Sequence, residues 1–126
     1  MVAAAVLRAG LGQDVLLTRR MKGAHLAGMW EFPGGKVEEG EDPRQTVVRE
    51  CEEEIGLTVE VLDILDVAYH RYAEKDVLLL FYDCRGEGEV QHLGVADHAW
   101  VQIGSLGDYP LPPPDQRLVD KLTSGR

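Results

Sequence analysis

The chain has 126 residues, 44% of them hydrophobic, and a formal net charge of -9 at pH 7. This length and composition predict one globular domain over residues 1–126 with a hydrophobic core. The negative charge argues against a nucleic acid polymer as partner, because that mode of binding uses Lys and Arg to neutralise phosphates. No apolar run reaches the ~18 residues of a membrane span and no signal peptide is recognisable, which predicts a cytoplasmic protein with no membrane partner.

The N-terminal quarter is predicted to be mostly extended. The segments Val2 to Leu7 and Asp14 to Arg19 are short, contain valine and leucine, and flank a turn over residues 10–13, so they are predicted to be paired strands. Residues 21–30 carry two glycines and show no clear period. They indicate a loop that ends in a short extended piece through Phe32.

A helix is predicted from about Pro43 to Ile55. Asp42 is a typical N-cap, Pro43 suits the first helical position, and Gln45 can complete a capping box. Gly56 provides the stop signal. At 100° per residue, one side of this helix collects the apolar side chains of Val47, Val48, Cys51 and Ile55.

The second half of the chain is predicted to add three strands and a helix. The strands are 58–69, 76–84 and 99–103, with a turn over residues 73–75. A proline-rich loop over 107–114 leads into a helix over 115–122. The order of strands, helix, strands and helix predicts an α/β (α+β) architecture with a mixed sheet between two helices. Cys51 and Cys84 lack metal-site spacing and are predicted to be buried apolar residues.

Three acids lie at the unfavourable end of the predicted helix. Glu50, Glu53 and Glu54 stand at i, i+3 and i+4, so they share one stripe, whereas Glu52 lies off it. The negative end of the helix dipole and the mutual repulsion each cost a few tenths to about 1 kcal/mol. A solvated run of charges is the plain alternative. An arrangement that is unfavourable twice over instead points to bound divalent cations such as Mg²⁺, with Arg49 orienting one of the acids.

The sequence Pro33-Gly34-Gly35 precedes this helix. Such a kink leaves backbone carbonyls free to face a metal and allows phosphates to approach closely. By itself the pair of glycines would indicate only a turn.

A longer pattern joins these features: Gly, five residues, Glu, seven residues, Arg-Glu, an apolar residue, any residue, Glu-Glu, any residue, Gly and an apolar residue. The positions are filled by Gly35, Glu41, Arg49, Glu50, Cys51, Glu53, Glu54, Gly56 and Leu57. This pattern resembles the Nudix box of the Nudix hydrolase family, and Cys51 is its one unusual choice. Further segments are similar to the MutT-type subgroup: EFPGGKVEEGE (31–41), Thr18-Arg19-Arg20, and Pro112-Pro113-Pro114-Asp115-Gln116.

The resemblance implies a fold and an activity. The expected fold is an α/β/α sandwich with a central mixed sheet. The expected enzyme depends on Mg²⁺ or Mn²⁺ and cleaves an unusual nucleoside triphosphate to a monophosphate and pyrophosphate, as in sanitation of the nucleotide pool and DNA repair. It is expected to act as a monomer or homodimer on a small-molecule nucleotide.

The resemblance also assigns residues. Glu53 and Glu54 would ligate the metal together with the carbonyl of Gly34. Glu50 would be a ligand or the catalytic base, beside Arg49. On the substrate side, the residues expected to face the nucleoside are Arg20, His25 and Phe32.

Asp115 bears on the identity of the base. Relatives that act on oxidised guanine carry Asn at this place, whereas Asp is similar to those that prefer cytidine nucleotides. An ionised carboxylate only accepts hydrogen bonds, so it suits a base edge with two adjacent donors. Cytidine or modified-pyrimidine triphosphates and 8-oxo-guanine triphosphate both stay open. Asp115 is alternatively only the N-cap of the last helix.

Some relatives carry a further acid or histidine on a loop across from the box. Glu89, Asp97 and His98 lie in the corresponding part of the chain, and no motif chooses among them. His70 and His92 are expected to be structural. Two other functions stay open: hydrolysis of another diphosphate such as ADP-ribose, NADH or a sugar nucleotide, and nucleotide binding by a non-catalytic regulator of the same fold.

Overall fold

The structure is a computed structural model that describes residues 1–9 and 12–124. Residues 10 and 11, which belong to the predicted first turn, lie outside the described part. The strands are β1 (Val2–Arg8), β2 (Val15–Arg19), β3 (Trp30–Glu31), β4 (Gly34–Lys36), β5 (Val59–Arg71), β6 (Asp76–Gly86) and β7 (Asp97–Val101). The helices are α1 (Pro43–Ile55) and α2 (Pro113–Thr123), and a 3₁₀ helix covers Ile103–Asp108.

The strands form one mixed sheet in the order β3-β2-β1-β6-β5. Strands β1 and β6 run parallel over Val2–Arg8, and the long β5–β6 hairpin is antiparallel. Strand β4 pairs with the first half of β1, and β7 pairs with the whole of β2. Strand β4, which precedes α1 in the chain, therefore lies beside β1, the central strand of the sheet.

Strand β1 supplies apolar side chains to both faces of the sheet because successive residues point in opposite directions. Ala3, Ala5 and Leu7 pack with the buried face of α1, whereas Ala4 and Val6 pack with α2 and the 3₁₀ helix. Each helix thus covers its own hydrophobic cluster. The predicted α/β/α arrangement with a central mixed sheet is confirmed.

Helix α1 has the predicted bounds and the predicted caps. The Asp42 side chain accepts from the backbone N–H of Arg44 at 2.8 Å, and the backbone N–H of Asp42 donates to Gln45 Oε1 at 3.1 Å. Gly56 ends the helix at φ 69°, a left-handed conformation in which glycine avoids the Cβ clash. On the core face, Val48 is only partly buried and Thr46 is fully buried in addition to the predicted residues.

Several predicted elements are shifted, and β5 and β6 each end two residues later than predicted. Strand β7 begins at Asp97 and ends at Val101, two residues earlier than predicted, because it pairs with all of β2 regardless of the polarity of its first residues. Helix α2 begins at Pro113 with Pro112 as its N-cap, since proline is well suited to the first helical turn. The alternative role of Asp115 as the N-cap is therefore wrong.

Both cysteines are free and buried, as predicted. Burial raises the pKa of the Cys51 thiol and raises that of Cys84 to about 12, so both stay neutral thiols. Among the described residues, no helix is long and apolar enough to cross a membrane.

Candidate active site

A cavity of about 500 Å³ opens where the second half of α1, strand β4 and the start of α2 meet the segment after β2. This volume is in the range of small-molecule sites. Side chains from β1 and β6 provide an apolar part of the lining: Val2, Ala4, Val77 and Leu79. The cavity therefore combines an apolar surface with the polar groups predicted from the sequence.

Two of the three acids of the α1 stripe line this cavity. Glu50 and Glu54 do so together with Gly34 of β4. The Glu50 side chain is only 16% exposed, whereas that of Glu53 is 58% exposed and does not line the cavity. The stripe thus presents a pair of half-buried carboxylates, with Glu53 at its outer edge.

Gly35 lets the Glu50 carboxylate lie directly against the backbone of β4. A Cβ atom at this position would come within 2.5 Å of the Glu50 carboxyl carbon. The neighbouring Gly34 is equally constrained, because its Cβ would lie 2.2 Å from the carbonyl oxygen of Ala3. The two glycines therefore allow β4 to contact both α1 and β1.

Arg49 forms hydrogen bonds to three of the surrounding acids. Its Nη1 donates to Glu50 at 2.8 Å and to Glu53 at 3.2 Å, and its Nε donates to Glu41 at 2.8 Å. A further bond to the carbonyl of Lys36 ties it to β4 at 3.1 Å. Hydrogen bonds from Arg49 and Thr46 lower the pKa of Glu41 to about 2. Arg49 thus fixes the orientation of the Glu50 carboxylate.

The environment of the Glu54 carboxyl group shows whether the residues of this cavity suit a cation. Its Oε1 is buried and has no hydrogen-bond partner among the described residues. Burial, followed by the nearby Glu50 and Glu31 carboxylates, raises the pKa of Glu54 to about 8. A buried, unpaired oxygen beside other carboxylates is a hard-oxygen donor set, which suits Mg²⁺ or Mn²⁺. The residues present therefore fit a divalent cation.

The residues expected to face the nucleoside also meet at this cavity. Arg20, His25, Phe32 and Asp115 all line it. Arg20 donates to the His25 carbonyl at 2.5 Å. Phe32 is held by the core, where its ring packs edge-to-face on Phe81 at a centroid distance of 5.8 Å. The fold thus brings together side chains from positions 20 to 115.

Asp115 is almost completely buried, with 4% exposure. Its Oδ2 accepts from the backbone N–H of Phe32 at 3.3 Å. Burial, and then the carboxylate of Glu31, raise the pKa of Asp115 from 3.8 to about 7. The acceptor-only role predicted from the sequence requires an ionised Asp115. In the structure, the neutral and ionised forms are both accessible near pH 7.

Several cavity residues were not predicted from the sequence, among them Glu31 and Tyr72. Glu31 forms an ion pair with Arg20 at 2.6 Å, and burial nevertheless raises its pKa. Tyr72 lines the cavity and makes an edge-to-face contact with His25 at 5.8 Å. Glu31 stands in the glycine-rich segment that precedes α1, which was the available signal. No sequence signal marked Tyr72.

The three candidates for an additional acid or histidine do not line the cavity. Glu89 is exposed in the segment between β6 and β7. Asp97 and His98 begin β7, where His98 instead faces His92 with 2.8 Å between ring nitrogens. No pattern in the sequence connects His92 with His98.

The chain belongs to the NUDIX domain family, whose sequence model matches residues 1–122. It is accordingly a Nudix hydrolase of the MutT type, a family that generally uses a divalent metal ion.

Individual relatives agree with this assignment. The chain is 34% identical over 110 residues to an "8-oxo-dGTP diphosphatase" of Escherichia coli, covering 86% of this chain and 85% of the relative. It is 32% identical over 128 residues to a "CTP pyrophosphohydrolase" of the same organism, covering 99% and 91%. The crystal structure of a MutT protein from Methanosarcina mazei superposes with a TM-score of 0.88 at 28% identity, covering 98% and 92%.

Proposed function

We propose that this protein hydrolyses a modified or unusual nucleoside triphosphate to the monophosphate and pyrophosphate, with Mg²⁺ or Mn²⁺ as cofactor. The observation that carries the proposal is the cavity in which the half-buried carboxylates of Glu50 and Glu54 and the buried carboxyl of Asp115 line the same space. The acids supply a cation site for the polyphosphate, and Asp115 supplies a group that reads a base. Such an enzyme would act in sanitation of the nucleotide pool.

Residues of α1 and β4 have separate roles in the proposed hydrolysis. Glu54 and the Gly34 carbonyl would hold the cation, joined by Glu53 from the outer edge of the stripe. When bound, the cation would neutralise charge on the phosphoryl oxygens and lower the pKa of a bound water. Glu50 would accept a proton from the attacking water as the new oxygen–phosphorus bond forms and the phosphoanhydride bond between the monophosphate and the pyrophosphate breaks. Arg49 is a positioning residue, because it holds the Glu50 carboxylate from outside the cavity.

The two protonation states of Asp115 match two different bases. A neutral carboxyl can donate its O–H to N3 of cytosine and accept from the N4 amine. An ionised carboxylate can accept from both N1–H and N2–H₂ of guanine. Because its pKa is about 7, Asp115 offers both patterns near neutral pH. The proposed substrates are therefore cytidine or modified-pyrimidine triphosphates and 8-oxo-guanine triphosphate.

A nucleotide panel with Mg²⁺ tests the reaction. The panel contains dCTP, 5-substituted dCTP, 8-oxo-dGTP, dGTP, ADP-ribose and NADH, with pyrophosphate and orthophosphate measured separately. Pyrophosphate release from a pyrimidine or 8-oxo-purine triphosphate is expected. Dominant orthophosphate release, or turnover of only ADP-ribose or NADH, would contradict the proposal.

A pair of glutamine variants tests the acid stripe. Glu53→Gln removes one charge from the proposed cation site and is expected to lose most turnover. Glu52→Gln makes the same change one residue earlier, at an exposed position off the stripe, and is the matched control. Full activity in Glu53→Gln would remove Glu53 from the cation site.

A further inference from the structure

Two histidines and an aspartate converge on the surface between β6 and β7. His92 lies in the connecting segment, and Asp97 and His98 are the first residues of β7. The ligand atoms of the three side chains all lie within 4.8 Å of one another. His92 Nε2 and His98 Nδ1 are 2.8 Å apart, and their rings meet at 63° with centroids 5.0 Å apart. The rings therefore point nitrogen to nitrogen and are not stacked.

We propose that His92, Asp97 and His98 form a binding site for a transition-metal ion of the Zn²⁺ or Ni²⁺ class, separate from the acidic cavity. Imidazole nitrogens favour these ions, whereas Mg²⁺ favours sites made only of oxygen. Three protein ligands would leave open positions for water. None of the three residues lines the cavity, so the two sites share no side chain.

The position of His92 is set by the end of α1. The backbone N–H of Gln91 donates to the Ile55 carbonyl at 3.0 Å, and that of Leu93 donates to Glu54 at 3.0 Å. These bonds satisfy carbonyls at the helix C-terminus and hold His92 between them. Strand β7 is held independently, through its pairing with β2. The ligands thus come from two chain segments that the fold already fixes near each other.

The ion would join these two segments. Gly94 and Val95, two and three residues after His92, line the cavity. A metal bound to His92 and to β7 would hold this part of the cavity wall in place. His92 and Asp97 are exposed and His98 is half-buried, so an ion can reach the site from solvent.

Calorimetric titration of Zn²⁺ into the full chain, with excess Mg²⁺ present to occupy the acidic site, tests the proposal. Wild type is expected to bind one Zn²⁺, and His92→Ala and His98→Asn are expected to bind it at least tenfold more weakly. His70→Ala changes the same residue type on β5 and is the matched control. Unchanged affinity in both site variants, or no uptake at one ion per chain by wild type, would overturn the proposal.

Two further measurements separate this site from the proposed catalytic one. The chain has four histidines, so ring ¹⁵N spectra can follow each of them. Zn²⁺ is expected to shift His92 and His98 but not His25 or His70, and the opposite pattern would refute the site. Glu54→Gln alters the acidic cavity alone and is expected to keep Zn²⁺ uptake. Loss of Zn²⁺ uptake in Glu54→Gln would place the ion at the glutamates.

Discussion

At the scale of single residues, Asp115 is the side chain whose chemistry depends most on its surroundings. It is buried at the start of α2, beside Phe32, and its charged neighbours are Glu31 and Arg20, with Tyr72 also close. The loss of hydration outweighs the attraction of Arg20, so the proton is retained up to about pH 7. A single carboxyl can therefore present a donor or only acceptors within the physiological range.

We expect base preference to depend on pH. Between pH 6 and pH 8, the ratio of kcat/KM for dCTP to that for 8-oxo-dGTP should fall, because neutral Asp115 matches cytosine and ionised Asp115 matches guanine. In Asp115→Asn the side chain does not titrate, so the ratio should be flat over the same range. Steady-state kinetics at several pH values measures this ratio of kcat/KM values in both proteins. An equal slope in wild type and variant would assign the pH dependence to another group.

The same variant should change the pH dependence of stability. The native pKa of about 7 lies above the unfolded value of 3.8, so the folded state gains from the proton at low pH and loses this gain as pH rises through 7. Asp115→Asn should thus become more stable relative to wild type between pH 4 and pH 8, by at most about 4 kcal/mol. Urea unfolding at both pH values checks the sign. A constant difference would contradict the raised pKa.

At the scale of elements, the contact between β4 and α1 positions the acids. The glycine pair of β4 leaves room for the Glu50 carboxylate on one side and the backbone of β1 on the other. Arg49 then links α1 to the carbonyl of Lys36 at the end of β4. Glycine is used here for close approach, since neither Gly34 nor Gly35 has a positive φ.

Gly35→Ala should displace the Glu50 carboxylate and lower kcat by about 10²-fold or more, because general-base catalysis typically contributes 10²–10⁴-fold. The fold should be kept, since the added Cβ meets the flexible end of a side chain. Gly104→Ala is the matched control, because nothing lies within 4 Å of the Cβ it would add. Steady-state kinetics and circular dichroism measure both effects. Unchanged kcat in Gly35→Ala would mean that the position of Glu50 is not critical.

At the scale of the whole molecule, an acidic protein concentrates part of its charge where helix and sheet meet. The net charge is -9. Burial raises the pKa of Glu54, and the nearby carboxylates of Glu50 and Glu31 raise it further. This crowding is expected to destabilise the metal-free fold, and a divalent cation bound to the native state would offset it. Under the proposed function, stability and activity would be coupled through the same carboxylates.

Thermal unfolding with Mg²⁺ tests this coupling. Mg²⁺ should raise the Tm of wild type more than NaCl of equal ionic strength, and the increment for a ligand at 100 times its Kd is about 2.7 kcal/mol. Above pH 8, where metal-free Glu54 is ionised, Glu54→Gln should raise the metal-free Tm because it removes a crowded charge, and it should lose the increment specific to Mg²⁺. Glu52→Gln serves as the exposed control. Equal Mg²⁺ increments in Glu54→Gln and wild type would place the cation elsewhere.

The local sequence determined helix α1 with both of its caps, the spacing of its acids, and the order of strands and helices. These features depend on residues within a few positions of one another, so propensity, capping and periodicity are sufficient to predict them. The start of α2 was misjudged because three consecutive prolines indicate a loop, although two of them also fit the first helical turn.

The tertiary structure alone decided the states and partners of the site residues. Asp115 and Phe32 are 83 positions apart, and the burial of this carboxyl results from packing of α2 on the sheet. The outward position of Glu53, and the meeting of His92 with His98, likewise depend on which elements lie beside them. Desolvation and contact between distant segments are properties of the packed chain, and no local pattern in the sequence records them.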